Sequence, residues 1–114
     1  MDQFSQQVIA IATAISVAEG FGLAGAIPTV RNNPGDLIGA NGEIQYYATL
    51  DEGWEGLYNQ VSWMLSGRSH IYAPTMTITE VAERYTMTQQ SEWARNVAGK
   101  LGVSVDTPLN EVTG

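Results

Sequence analysis

The chain has 114 residues, which is enough for one domain with a single hydrophobic core, and its 44% hydrophobic and 15% charged residues are typical of a globular protein. A formal charge of -7 with only five Lys and Arg residues argues against binding to nucleic acid or to an anionic membrane surface, because phosphate binding needs clustered cations. The sequence has no cysteine and one histidine, so it predicts no disulfide framework and no metal site.

The first predicted element is a helix over residues 4–20 that carries no charge before Glu19. At about 100° per residue, five side chains share one stripe of this helix: Phe4, Val8, Ile11, Ile15 and Glu19. The carboxylate therefore continues the apolar face instead of opposing it. Gly20 follows directly, and glycine is the usual residue just past a helix end, so the helix is predicted to end at Glu19.

Glu19 is a candidate general acid because of this position. A carboxyl at the end of a buried helix is discouraged from ionising by desolvation and by the partial negative charge of the helix C-terminus, so its pKa should rise. An acid that stays protonated near neutral pH can donate a proton to a leaving oxygen. The alternative is a Glu19 side chain that turns out to solvent at the helix end.

The same N-terminal run is not predicted to be a targeting or membrane segment. It lacks the basic start of a secretion signal and is interrupted by Gln, Ser and Thr. It also has fewer than the roughly 18 strongly apolar residues that a membrane span requires. We therefore expect no signal peptide and no membrane span.

A connector, a turn and a hairpin are predicted next. Residues 21–30 are rich in Gly and Ala and predict an ordered loop or a short broken turn. In residues 31–36, Pro34 followed by Gly35 predicts a type II turn with positive φ at Gly35. Strand-like runs on both sides of Asn41-Gly42 predict a two-stranded hairpin, with Asp36 at its base.

Helices are predicted for most of the remaining chain. Thr49 and Thr77 each begin a capping box, which predicts helices starting at these residues and extending to Gly67 and to about residue 85. Gly53 and Gly56 are expected to face a close neighbour, because glycine inside a helix otherwise costs about 1 kcal/mol. A further helix is predicted from about residue 93 to 102, followed by a final turn with proline at its first helical position.

Five segments together resemble the goose-type lysozyme and lytic transglycosylase branch of the lysozyme superfold, of the type common in phage and prophage sequences. They are AEGF at 18–21, NNPGDL at 32–37, YATLDEGW at 47–54, ITEVAERY at 78–85 and WARNVAGKLGV at 93–103. The resemblance covers nearly the whole chain. It implies a single mainly α (α+β), lysozyme-like domain over residues 1–114, with a central buried helix, a small β-hairpin and surrounding helices.

The resemblance also implies an activity. Enzymes of this branch cleave the β-1,4 bond between N-acetylmuramic acid and N-acetylglucosamine in peptidoglycan, as muramidases or as lytic transglycosylases, without a cofactor. Glu19 matches their catalytic acid, which protonates the glycosidic oxygen and then takes a proton from water or from the muramyl 6-hydroxyl. The expected partner is a peptidoglycan glycan strand at the bacterial cell wall.

A second carboxylate is needed only by some glycosidases, about 5 Å from the first for retention or about 6.5 to 9.5 Å for inversion. The candidates are Asp36, Glu43, Asp51, Glu52 and Glu55. Asp51 and Glu52 already have a role at a helix N-terminus, and Glu43 is expected at the solvated hairpin tip. Asp36 matches a cleft position that often carries Asn in the resembling enzymes, so single-acid chemistry assisted by the substrate's acetamido group is favoured, and with it a transglycosylase.

The residues predicted to bind substrate are Asn33, Asp36, Tyr47 and Tyr85. Asn33 could bond a sugar acetamido group or merely cap its own turn. Tyr46 and Tyr47 point to opposite faces of a strand, so only one can line the cleft, and Tyr47 is favoured. Tyr85 could hold the Glu19 carboxyl, although the apolar stripe of its helix already explains it.

The three tryptophans and the histidine have simpler interpretations. Trp54 and Trp93 lie on apolar stripes, which favours core packing over sugar stacking. Trp63 lies about 180° from Trp54 around the same helix, so it is either exposed or packed against a second neighbour. An exposed Trp63 could stack on a sugar. Packing against the N-terminal helix is the default expectation. His70 is expected in an exposed loop.

Two other functions remain open from the sequence. One is a phage virion or injection-apparatus protein that keeps the fold for assembly or glycan binding and has little activity. The other is a small helical interaction domain whose motif matches are accidental. The glutamate at position 19 favours the enzyme.

Overall fold

The computed structural model describes residues 4–113, which form a mainly helical fold. Its helices are α1 (Gln6–Ala18), α2 (Ile27–Val30), α3 (Leu50–Ser66), α4 (Ile78–Tyr85), α5 (Gln90–Leu101) and a 3-10 helix (Leu109–Glu111). The radius of gyration, 13.0 Å, is close to the value of about 13 Å expected for a compact domain of this length. None of the helices within residues 4–113 is long and apolar enough to cross a membrane.

Helix α1 lies at the centre of the fold and packs against both α3 and α5. Its apolar stripe is buried at Val8, Ile11 and Ile15, as the periodicity predicts. These side chains contribute to one core with buried residues of the other helices, among them Leu57, Val61, Met64, Val81 and Val97. The central buried helix predicted from the sequence is therefore present.

The predicted helix ends are largely confirmed because they depend on local contacts. Thr49 accepts a hydrogen bond from the Glu52 amide at 3.2 Å, and the Glu52 carboxylate accepts from the Thr49 amide at 3.3 Å. Thr77 begins α4 with the same reciprocal pair. Helix α1 ends with Glu19 as its C-cap. Helix α5 begins earlier than predicted, at Gln90, after a residue with positive φ.

Two smaller elements differ from the predictions. The connector over residues 21–30 contains a short helix, α2, with Pro28 near its start. The final turn does form, but Pro108 is the N-cap of the 3-10 helix and not its first helical residue. Proline suits both positions because neither requires its missing amide hydrogen.

The prediction of a type II turn at Pro34-Gly35 is wrong, because Gly35 does not have positive φ. The Asp36 amide still closes the turn by donating to the Asn33 carbonyl at 3.0 Å, and Asp36 itself takes a φ of 53°. Glycine is needed at position 35 for space. A Cβ there would lie 2.6 Å from Leu57 Cδ1 and 3.0 Å from the Tyr85 hydroxyl oxygen.

The predicted two-stranded hairpin is reduced to one antiparallel bridge between Ile38 and Ile44. Two backbone hydrogen bonds join the arms, from the Gly39 amide to the Glu43 carbonyl and from the Gln45 amide to the Leu37 carbonyl, each at 2.8 Å. The side chain of Asn33 adds further bonds. Its amide nitrogen donates to the carbonyls of Leu37 and Gln45 at 2.9 and 2.8 Å, and its Oδ1 accepts from the Leu37 amide at 2.9 Å. Ile38 is 66% exposed, so this side of the segment has no core to pack against and no regular sheet forms.

The two glycines in α3 face close neighbours, as predicted. A Cβ on Gly53 would overlap the backbone carbonyl of Asn32, and a Cβ on Gly56 would lie 2.5 Å from the Tyr47 hydroxyl oxygen. Both contacts join α3 to the 31–47 segment. The glycines therefore set the position of the turn that carries Asp36 against the helical core.

Candidate active site

Glu19 lies partly buried at the C-terminal end of α1, facing α5. The indole Nε1 of Trp93 donates a hydrogen bond to its Oε2 at 2.7 Å. The Glu19 side chain therefore does not turn out into open solvent. Trp93 is itself buried, so the bond fixes the carboxyl against the core.

The surroundings of Glu19 raise its pKa to about 7, from an ordinary value of 4.5. Desolvation by burial is the main cause, because a partly dehydrated carboxylate is poorly stabilised. The hydrogen bond from Trp93 opposes this, and the negative charge of Asp36 adds to it. Glu19 is therefore a carboxylic acid that keeps its proton for much of the time near neutral pH.

Asp36 is the second carboxyl of the site. Its Oδ1 atom is buried and accepts no hydrogen bond from the described residues of the chain. Burial raises the pKa of Asp36, while its interaction with Glu19 and the positive charge of Arg31 lower it. A buried oxygen without a donor is costly, so this atom is suited to accept a hydrogen bond from a ligand or from water.

The two carboxyl groups divide their protons unequally. Their mutual interaction raises the pKa of Glu19 and lowers that of Asp36. The proton shared by a close carboxyl pair is therefore held on Glu19, and Asp36 is the member that ionises first. A pair whose environments separate the two pKa values in this way provides one acid and one acceptor.

An aromatic stack supports the pair from the core side. Tyr85 lies against Trp93 with ring centroids 5.0 Å apart and planes at 29°, and Tyr72 follows at 6.3 Å from Tyr85. The Tyr85 hydroxyl donates to the Gly35 carbonyl at 2.6 Å, next to Asp36. Burial raises the pKa of Tyr85 well above 10, so this hydroxyl remains a donor. The stack thus links the side chain that holds Glu19 to the backbone that carries Asp36.

Each carboxyl of the pair lines a surface cavity. Glu19 and Trp93 line one of about 150 Å³, together with Ala18, Thr86, Thr88, Gln89, Glu92 and Asn96. Asp36 and Tyr85 line another of about 250 Å³, together with Leu37, Ile38, Gln60, Ile71, Tyr72 and Arg84. Because Glu19 and Asp36 interact directly, a ligand that extends across both cavities would pass over the acid and the acceptor.

The predicted substrate-binding residues take different positions. Asp36 and Tyr85 line the 250 Å³ cavity, but the Tyr85 hydroxyl bonds to Gly35 and not to Glu19. Asn33 is fully buried, and its side-chain amide bonds to backbone carbonyls of the 37–45 segment. It therefore caps its own turn, which is the second of the two roles considered for it. The Tyr47 ring lies against Gly56, outside the lining of either cavity.

Trp93 is the site residue that sequence reasoning missed, because its apolar stripe was sufficient to predict burial. It is indeed buried, yet a buried indole N–H usually finds an acceptor, and an acid on a facing helix was available. Tyr72 was also missed. It comes after an irregular segment without a helical pattern, and burial raises its pKa to about 12.

The remaining candidates lie elsewhere. Glu43, Asp51, Glu52 and Glu55 are exposed, and Glu52 completes the N-terminal capping box of α3. His70 is a loop residue outside the carboxyl pair. Trp63 is half exposed, which favours the exposed alternative over packing against the N-terminal helix. Residues 4–113 contain no group of three or more His, Cys, Asp or Glu side chains that could hold a metal ion.

Comparisons with protein-family models, with curated proteins and with solved structures find no match to this chain.

Substituting Phe for Trp93 is expected to raise the pKa of Glu19 above about 7, because the lost hydrogen bond stabilised the carboxylate. The phenyl ring keeps an aromatic surface for Tyr85. In any reaction for which Glu19 is the general acid, the alkaline limb of the pH–rate profile should therefore move to higher pH.

The matched control for this substitution is Trp54→Phe, which removes an indole that packs against Phe21 and Tyr58 and makes no hydrogen bond to Glu19. Its alkaline limb should stay in place. An unchanged limb in Trp93→Phe would contradict the role assigned to the indole N–H.

Proposed function

We propose that this protein cleaves the β-1,4 bond between N-acetylmuramic acid and N-acetylglucosamine in peptidoglycan, with Glu19 as the general acid. The observation that carries the proposal is a carboxyl with a pKa raised to about 7, held by an indole N–H beside a second carboxyl. A carboxyl that stays protonated near neutral pH can donate its proton to a glycosidic oxygen, and a second carboxyl beside it can play the accepting role that many glycosidases use.

The first step transfers the proton of Glu19 to the glycosidic oxygen as the bond to the sugar breaks. Glu19 then becomes a carboxylate, which the Trp93 N–H stabilises because that hydrogen bond favours the charged form. The carboxylate next accepts a proton from the attacking nucleophile. Attack by water gives hydrolysis, and attack by the muramyl 6-hydroxyl gives an anhydro sugar.

Asp36 has a place in this proposal that the sequence alone did not favour. Its buried Oδ1 lacks a donor, and its interaction with Glu19 keeps the proton on Glu19. A hydroxyl of the substrate or the attacking water would supply the missing hydrogen bond. Asp36 would then orient the nucleophile or stabilise positive charge at the sugar, while the acetamido group of the substrate assists from the other side.

The lysozyme-like fold belongs to the same proposal. The motif segments at 18–21, 32–37, 78–85 and 93–103 contribute Glu19, Asp36, Tyr85 and Trp93 to one site. Motifs that matched by accident would have no reason to converge in space. Their convergence on the carboxyl pair supports the resemblance to goose-type lysozymes and lytic transglycosylases.

The direct test is digestion of purified peptidoglycan, followed by turbidity loss and by mass spectrometry of the soluble products. Fragments with reducing ends would indicate a muramidase, and fragments with anhydro-muramyl ends a lytic transglycosylase. A virion structural or glycan-binding protein of the same fold would sediment with peptidoglycan but release no fragments. That result would overturn the proposed activity.

A further inference from the structure

A third cavity, of about 510 Å³, lies on the surface between α3 and the loop that follows it. Its lining consists of Gln60, Trp63, Arg68, Ser69, His70 and Ile71. Trp63 is 50% exposed and Ile71 is 59% exposed, so a large aromatic face and an aliphatic side chain stand open to solvent here. The carboxyl pair does not line this cavity.

This cavity adjoins the cavity that contains Asp36. Gln60 and Ile71 line both of them, so the two cavities share a wall at these side chains. A chain-like ligand that occupies the Asp36 cavity would therefore reach the third cavity with its next units.

The chemistry of the lining suits a neutral sugar. An exposed indole offers a flat apolar surface to the C–H face of a pyranose ring, and amide, guanidinium and hydroxyl groups can bond its hydroxyls. Ser69 Oγ already accepts from the amides of Ile71 and Tyr72 at 3.0 Å each, which leaves its own hydrogen to donate. Arg68 is the only Lys or Arg in the lining, and the chain carries a charge of -7, so a polyanion fits poorly.

We propose that the cavity around Trp63 binds a further sugar of the glycan strand whose cleavage is proposed above, with the Trp63 indole stacked on the ring. The inference rests on the proposed function and deepens it, because it assigns the protein a preference for binding long glycan strands. Glycans that reach from the carboxyl pair to Trp63 would bind more tightly than shorter ones.

The test follows indole N–H resonances by NMR in Glu19→Gln protein, which prevents turnover, during titration with a hexamer of β-1,4-linked N-acetylglucosamine. Trp93 reports on the carboxyl pair and Trp63 on the third cavity. The hexamer is expected to shift both resonances. Adding Trp63→Ala should weaken hexamer binding about tenfold, the equivalent of about 1.4 kcal/mol.

The matched control is Val30→Ala, which trims a side chain of similar exposure that lines none of the three cavities. It should bind the hexamer as the parent does. A shift of Trp93 without Trp63, or unchanged affinity in Trp63→Ala, would overturn this inference and leave the proposed function standing. If neither resonance moved, this inference would be overturned, and the proposed function would fall with it only if purified peptidoglycan were also not cleaved. A shift of Trp63 alone would overturn the continuity between the two sites.

Discussion

Glu19→Gln is expected to lower the rate of the proposed peptidoglycan cleavage by about 10³-fold, within the range that a general acid contributes. Glutamine has nearly the same size as glutamate, and its amide oxygen can still accept the hydrogen bond from Trp93. The substitution therefore removes the transferable proton while the contact to α5 is retained. Release of soluble fragments from purified peptidoglycan measures the effect.

The control for this experiment is Glu55→Gln, which makes the same chemical change on an exposed face of α3. It should retain the rate of the unsubstituted protein. Near-normal cleavage by Glu19→Gln would contradict the role of this carboxyl as general acid, and equal losses in both variants would indicate an effect of net charge instead.

Gly53→Ala is expected to lower the free energy of unfolding by about 2 to 3 kcal/mol, the cost of overpacking a buried position. A Cβ at this site would overlap the Asn32 carbonyl, and backbone cannot move aside as a flexible side chain can. The strain acts directly on the turn that carries Asp36. Urea denaturation measures the loss of stability, and cleavage should fall with it because the carboxyl pair is displaced.

Gly99→Ala is the matched control, because Gly99 lies in α5 and a Cβ added there would meet no atom within 4 Å. Alanine at this position should raise the free energy of unfolding by about 0.5 to 1 kcal/mol through helix propensity alone. The two substitutions are chemically identical and should have opposite signs. A stabilising effect at Gly53 would contradict the close approach of α3 to the Asn32 backbone.

Local signals explain what could be predicted from the sequence. The capping boxes at Thr49 and Thr77 and the apolar stripe of α1 depend on residues within four positions of each other, and all three are present. The same stripe placed Glu19 at the edge of the core. Burial followed from that position, and burial is the main cause of its raised pKa.

Contacts between distant residues explain what could not be predicted. Trp93 and Glu19 are 74 positions apart, and no periodic pattern pairs an indole N–H with one particular acid. The Pro-Gly pattern predicted a turn conformation for Gly35, whereas its actual constraint is the space occupied by Leu57 and Tyr85. The sequence likewise allowed Asn33 either to bond a sugar or to cap its turn. Its buried side chain bonds to the backbone of the 37–45 segment, so it has the second role.

A pH titration of the Glu19 side-chain carboxyl carbon by NMR measures whether this group holds a proton near neutral pH. The resonance is identified by its loss in Glu19→Gln. We expect a titration midpoint of about 7, because burial and the neighbouring Asp36 disfavour the carboxylate. A midpoint near the ordinary value of 4.5 would rule out Glu19 as the general acid, because its carboxyl would then be ionised at neutral pH.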